Sequence, residues 1–219
     1  MNKHILWLPI CAAALTHLTS CTRDVLSGEG SVVTETRTLP AFDAIEISGA
    51  RRVEVIKSSE NKVEVTGYIN LVSALRAPVT NKVVKFDFGK HLQVKNDNIS
   101  LKIYTSELRK VQSSGNNRIT LGNGFGGDLL RLYQSGAGKL ETGAANYNRL
   151  EVSLSGSGEI LAAGVETREA NVDLSGSGRA TVAARQNLRV RISGNGTVGY
   201  LGTPQTDINI SGSGRVTRL

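Results

Sequence analysis

The chain has 219 residues, 24 of them glycine, with a formal net charge of +7 and 5% aromatic residues. Its two cysteines, Cys11 and Cys21, lie near the start and leave the rest of the chain without a thiol, so no disulfide framework is available. The basic excess is spread along the chain rather than gathered into Lys/Arg runs, which excludes a nucleic-acid partner and favours anionic lipid, acidic polysaccharide or an acidic protein face.

The first element is a targeting signal. Lys3 supplies a positive start, an apolar stretch runs from Ile5 to Leu15, and Leu18-Thr19-Ser20-Cys21 follows. The stretch is too short to cross a bilayer as a mature helix. The four residues resemble a lipobox, with a small residue before a cysteine that takes lipid. Residues 1–20 are therefore expected to be a lipoprotein signal peptide and Cys21 the lipid anchor. An ordinary signal peptide cleaved near the same place is the plainer alternative. Cys11 sits inside the apolar run and is a poor rival. Anchoring implies the cell envelope, at the outer membrane, with the membrane as a partner through lipid. Residues 22–38 are polar and read as a linker after the anchor, which makes 21–38 one anchor-and-linker segment.

From Leu39 the chain alternates apolar and polar residues in short runs, as at Val53/Val55, Val63/Val65 and Ile99/Leu101/Ile103. Period-2 alternation is the strand signal. The one helical candidate, around Ile69–Leu75, reads as a loop or a single turn. The class is all-β, in one domain spanning 39–219.

Repeats set the architecture. A Ser-Gly pair recurs at Ser114, Ser135, Ser155, Ser175, Ser193 and Ser211, at intervals of 21, 20, 20, 18 and 18 residues, with a related Ile-Ser-Gly at Ser48. Aligning on the serine gives apolar columns three residues before it (Val111, Leu132, Val152, Val172, Val190, Ile208) and five after (Ile119, Leu140, Ile160, Ala180, Val198, Val216). Such columns describe the coils of a parallel β-solenoid, stacked about 4.8 Å apart. Coils of 18–21 residues are expected to be regular over 111–219 and irregular over 39–110. Leu154, Leu174, Ile192 and Ile210 should stack in one interior column. Three residues after each serine stand Asn117, Gly138, Gly158, Gly178, Gly196 and Gly214. These are expected to form a corner that needs positive φ or a tight bend, with Asn117 as the tolerated substitute.

The outward columns carry charges of opposite sign on neighbouring coils, such as Asp173 beside Arg191 and Arg189 beside Asp207. Most of these charges are read as ladders on a solvated face. The signal, the Leu39–Val55 stretch (LPAFDAIEISGARRVEV) and the repeated Ser-Gly-x-Gly coils together resemble the head GIN domain family of auto-transporter adhesins. The matching repeats are Val152–Gly158, Val172–Gly178, Val190–Gly196 and Ile208–Gly214. The resemblance implies a right-handed parallel β-helix and a non-enzymatic role in adhesion or polysaccharide binding at the cell surface. It brings no catalytic residues.

The residues themselves point to no catalytic centre, no metal site and no cofactor. No carboxylate pair faces one cleft on the regular coils, and His91 is the sole histidine after Cys21, which cannot build a zinc site alone. The serines lack a base. Their expected role is structural, with hydroxyls bonded to one another or to turn backbone. Candidate ligand-binding residues are Tyr133, as an outward aromatic platform, and Arg185, Arg215 and Arg218, which have no evident acidic partner. These arginines form either an anion-binding end or protection for the last strand edge. A polysaccharide-active enzyme and a structural or assembly protein of the envelope are the alternative functions.

Overall fold

The computed structural model describes residues 24–89 and 92–219. The chain opens with strands β1 (Asp24–Ser27), β2 (Val32–Thr38), β3 (Ala44–Gly49), β4 (Arg52–Lys57) and β5 (Lys62–Tyr68). A helix, α1 (Ile69–Ala74), precedes β6 (Val79–Thr80), β7 (Val83–Phe86), β8 (Leu92–Lys95) and β9 (Ser100–Thr105). The repeats begin with β10 (Lys110–Gly115), β11 (Arg118–Leu121), β12 (Gly126–Gly136), β13 (Lys139–Thr142) and β14 (Ala145–Gly156). They end with β15 (Glu159–Gly176), β16 (Arg179–Gly194), β17 (Thr197–Leu201), β18 (Gln205–Ser211) and β19 (Arg215–Arg218).

These strands wind into a β-solenoid of about five turns. One parallel stack runs β7, β3, β10, β12, β14, β15, β16, β18. A second runs β9, β4, β11, β13, β15, β16, β17, β19. The long strands β15 and β16 bend round the coil and serve both. The register is the one the serine alignment predicts for Ser114, Ser135, Ser155, Ser175, Ser193 and Ser211, and Ser48 joins the same row across the irregular segment.

Alternation dictates the core. Residues of one parity point into the coil, so Val111, Leu132, Val152, Val172 and Val190 are buried in one row and Leu154, Leu174 and Ile192 in another. Burying each such side chain contributes roughly 1.5–3 kcal/mol. Ile210 is in register with Ile192 but remains 39% exposed, because no described strand lies beyond β18. Its column is interior in register but not in burial. Ser113 and Gln134 occupy the same column on β10 and β12, where both are buried.

The glycine reading needs correction. Positive φ falls one residue after the serine, at Gly115, Gly136, Gly156, Gly176, Gly194 and Gly212. Gly138, Gly158, Gly178, Gly196, Gly214 and Asn117 do not adopt it. That column is small because the space is taken: a Cβ on Gly178 would lie 2.6 Å from the Gly158 carbonyl oxygen and 2.7 Å from Leu154. Asn117 stands in this column beside Arg51 of the coil before it. Its buried amide accepts from the Arg51 N–H (3.0 Å) and donates to Ser113 Oγ and the Ser114 carbonyl. It stays for its hydrogen bonds, not for a left-handed backbone.

The N-terminal end is closed differently. β2 pairs antiparallel with β5, and β5 antiparallel with β9. β1 pairs with β8 in a separate two-stranded sheet. The linker expected over 22–38 is thus largely sheet from Asp24 onward. Its alternation, Val33-x-Glu35-x-Arg37, is too polar to signal a strand, because β2 lies outermost and keeps most of its residues exposed. The helix α1 is longer than the expected single turn. Leu71, Val72 and Leu75 bury its inner side, and Arg37 donates to the carbonyls of Val72 and Leu75 at 2.6 Å each, where the helix end offers free acceptors. Arg51 plugs the coil here. Only 5% exposed, it lies 4.9 Å from the Phe88 ring centroid and 3.2 Å from Asp97. Burial pulls its pKa down while Asp97 pushes it back up.

Candidate functional site

Strands of the first stack turn one parity of side chain outward. Because the register is parallel, these outward residues form rows along the solenoid. One row is Glu46, Gln112, Tyr133, Ser153, Asp173, Arg191 and Asn209. The row beside it is Lys110, Arg131, Glu151, Asn171, Arg189 and Asp207. Tyr133 is half-buried in the middle, with Lys110 Nζ 5.7 Å from its ring centroid.

Two concavities lie along these rows, and Tyr133 lines the smaller. On one side a groove of about 210 Å3 is lined by Tyr133, Glu151, Ser153, Asn171, Asp173, Arg189 and Arg191. On the other a cleft of about 570 Å3 is lined by Asp43, Glu107, Arg109, Lys110, Asp128 and Arg131 together with the apolar Ala44, Val83, Leu108 and Leu129. The Arg131–Glu151 pair (2.8 Å) joins them. Together they form a track across several coils, polar at the groove and mixed at the cleft.

The charges along the track are paired. Lys110 meets Glu46 at 3.3 Å, Arg189 meets Asp207 at 2.9 Å and Arg191 meets Asp173 at 3.9 Å. The last two are the neighbours expected from the sequence. Arg109 binds the buried Asp43 at 2.5 Å. Arg149 and Asn148 hydrogen-bond Asp128 and hold its carboxyl below the usual range. A glycosidase acid requires the opposite shift. Tyr147 is walled off from the track: its hydroxyl donates to the Leu108 carbonyl at 2.7 Å, and burial pushes its pKa up. Among the described residues no three His, Cys, Asp or Glu side chains converge as a metal site would need.

Of the four candidate ligand residues, the structure places only Tyr133 on the track. Arg185 lies on another face of the coil and is ion-paired with Glu166, against the expectation that it lacks a partner. Arg215 and Arg218 are exposed on β19, the last coil of the second stack. The three arginines therefore do not form one end site. Cys21 and His91 lie outside the described residues. The cleft residues Asp43, Arg109 and Asp128 were not singled out from the sequence. Asp43 and Arg109 sit in the irregular segment, and Asp128 near the start of β12, outside the aligned columns.

The corner serines depart from expectation too. Ser48, Ser114, Ser135, Ser155, Ser175, Ser193 and Ser211 are all exposed, and among the described residues their hydroxyls bond to no other protein group. Backbone bonds such as Asn116 N–H to the Gly49 carbonyl and Ser177 N–H to the Gly156 carbonyl hold the corner instead.

The family described as "Putative auto-transporter adhesin, head GIN domain" matches residues 41–204. No curated protein sequence matches the chain. Among solved structures, it is similar to one titled a putative adhesin from Bacteroides fragilis, with TM-score 0.76 and 16% identity over 89% of this chain and 100% of that one. One titled a putative lipid binding protein from Parabacteroides distasonis has TM-score 0.60 and 20% identity over 90% and 100%. One titled a putative adhesin from Parabacteroides merdae has TM-score 0.57 and 23% identity over 90% and 99%. At these identities the likeness is one of fold.

Proposed function

The chain belongs to the head GIN domain family of auto-transporter adhesins, and from that premise we propose a cell-envelope adhesin, held at the outer membrane by lipid on Cys21, that binds polysaccharide without turning it over. The observation that carries the binding reading is the track itself. A half-buried tyrosine lines a groove with amide, hydroxyl and ion-paired side chains on its walls, and the Arg131–Glu151 pair links that groove to the neighbouring cleft. Sugars are recognised by that combination, a ring face for C–H groups and fixed polar groups for hydroxyls. A row repeated on successive coils offers many weak contacts to one polymer, so avidity replaces a single deep pocket. The polar side chains of the Tyr133 groove suit a hydroxylated ligand. The ion-paired state of Asp43, Asp128, Glu151 and Asp173 suits binding rather than acid catalysis.

A glycan array probed with the purified full-length chain tests the reading. Retention of one or more polysaccharides, lowered at least tenfold by Tyr133→Ala with unchanged thermal unfolding, is expected. Equal binding by Tyr133→Ala, or cleavage of a bound glycan, overturns it. Anchoring is tested separately. Labelled palmitate should enter the wild-type chain and be absent from Cys21→Ser.

A further inference from the structure

The second stack carries a charge pattern that its packing does not explain. Immediately after the Ser-Gly corner, Arg52, Arg118 and Lys139 stand on adjacent strands β4, β11 and β13, in direct register. Like charges on neighbouring strands repel. Elsewhere on the outward rows, cations meet acids: Lys110 with Glu46, Arg131 with Glu151, Arg189 with Asp207. Here Arg52 and Arg118 are exposed, and among the described residues neither has a carboxylate within ion-pair distance. Lys139 is held by Glu141 at 3.2 Å. Glu159 then interrupts the row before Arg179 and Arg215 resume it. Across the Ser-Gly corner from the row, on the first stack, runs the ridge of exposed serine hydroxyls, one on each of seven stacked strands.

A row of cations flanked by a row of free hydroxyl donors, both repeated at the strand spacing of about 4.8 Å, is a linear anion receptor. We propose that the Ser-Gly ridge and the Arg52–Arg118–Lys139 row form a second binding surface, bordering the Tyr133 row along the ridge, that takes an anionic polysaccharide bearing carboxylate or sulfate groups. The arginines neutralise the anions and the serines donate to their oxygens. A translationally repeating row matches a repeating polymer, whereas a compact acidic protein has no need of a ladder.

The test measures binding of polygalacturonate and dextran sulfate to the full-length chain across a salt series, with neutral dextran as control. Arg52→Thr/Arg118→Thr is the informative variant, because Thr197 shows that threonine fits this row. Arg185→Thr, on another face, removes one cation as a charge control. The double variant is expected to weaken polyanion binding at least tenfold at about 50 mM salt, and to lower the log–log salt slope by about two. Its thermal midpoint should stay level or rise, since repulsion is relieved; a merely structural pair of arginines would lower it. Equal weakening by Arg185→Thr reduces the effect to net charge and overturns the proposal. So does unchanged polyanion binding in the double variant, or loss of binding only to anionic phosphatidylglycerol vesicles. Tyr133→Ala separates the two surfaces. If it alone abolishes polyanion binding, the ridge is not a site; if it alters only neutral glycans, the ridge stands whatever becomes of the track.

Discussion

The two ends of this molecule solve the same problem in opposite ways. Up to about residue 110 the coils are closed off by antiparallel strands, the helix α1 and the buried Arg51. From β10 onward each coil repeats the last, until β18 and β19 leave Ile208 and Ile210 43% and 39% exposed. A repeat buries its apolar face only against a neighbour. Closing a stack therefore needs residues that break the pattern, and among the described residues only the first coils have them.

If that contrast is right, equal substitutions should have unequal effects along one column. Leu174→Ala, between Leu154 and Ile192, should cost about 2–5 kcal/mol in denaturant unfolding, and Ile210→Ala well under half as much. Equal losses would mean that the last coil is covered in solution. Ion pairs offer the next contrast. Asp97→Asn strands a buried guanidinium at the closed end and should cost about 3 kcal/mol. Asp207→Asn, whose exposed pair with Arg189 is screened by solvent, should move stability by less than about 0.5 kcal/mol. Corner glycines come third. Gly176→Ala, at φ +116 and with a Cβ 2.5 Å from the Gly156 carbonyl oxygen, should lose about 1–3 kcal/mol from backbone strain alone. A smaller loss would show that the corner can relax. The smallest effect should be a gain. Gln134 Oε1 is buried without a partner at a level where Leu154 and Leu174 occupy the column, so Gln134→Leu should raise stability by about 1 kcal/mol, read as a higher thermal midpoint.

The same contrast explains what was legible beforehand. The register of Ser114 with Ser135, and of Asp173 with Arg191, follows from counting residues, because stacked coils keep equivalent positions adjacent. Counting fails where a coil changes length. β15 and β16 slip register between Ala162 and Glu166 and again after Thr167, which is why Arg185 reaches a partner, Glu166, that alignment on the serines did not predict. The cleft beside Tyr133 was hidden for a related reason: Asp43 and Arg109 come together across 66 residues of irregular chain. Strand β2 was hidden by its polarity.

The sequence by itself determined the coil, its interior columns and the row of outward charges, because translation along a solenoid maps sequence period directly onto space. Only the tertiary structure decided which glycine carries the positive φ, since one column is set by the turn and the other by the coil packed against it. It also decided that the serines face solvent and that Arg52, Arg118 and Lys139 form one unbroken row. That row depends on a contact between β4 and β11, strands 66 residues apart, that no repeat interval encodes.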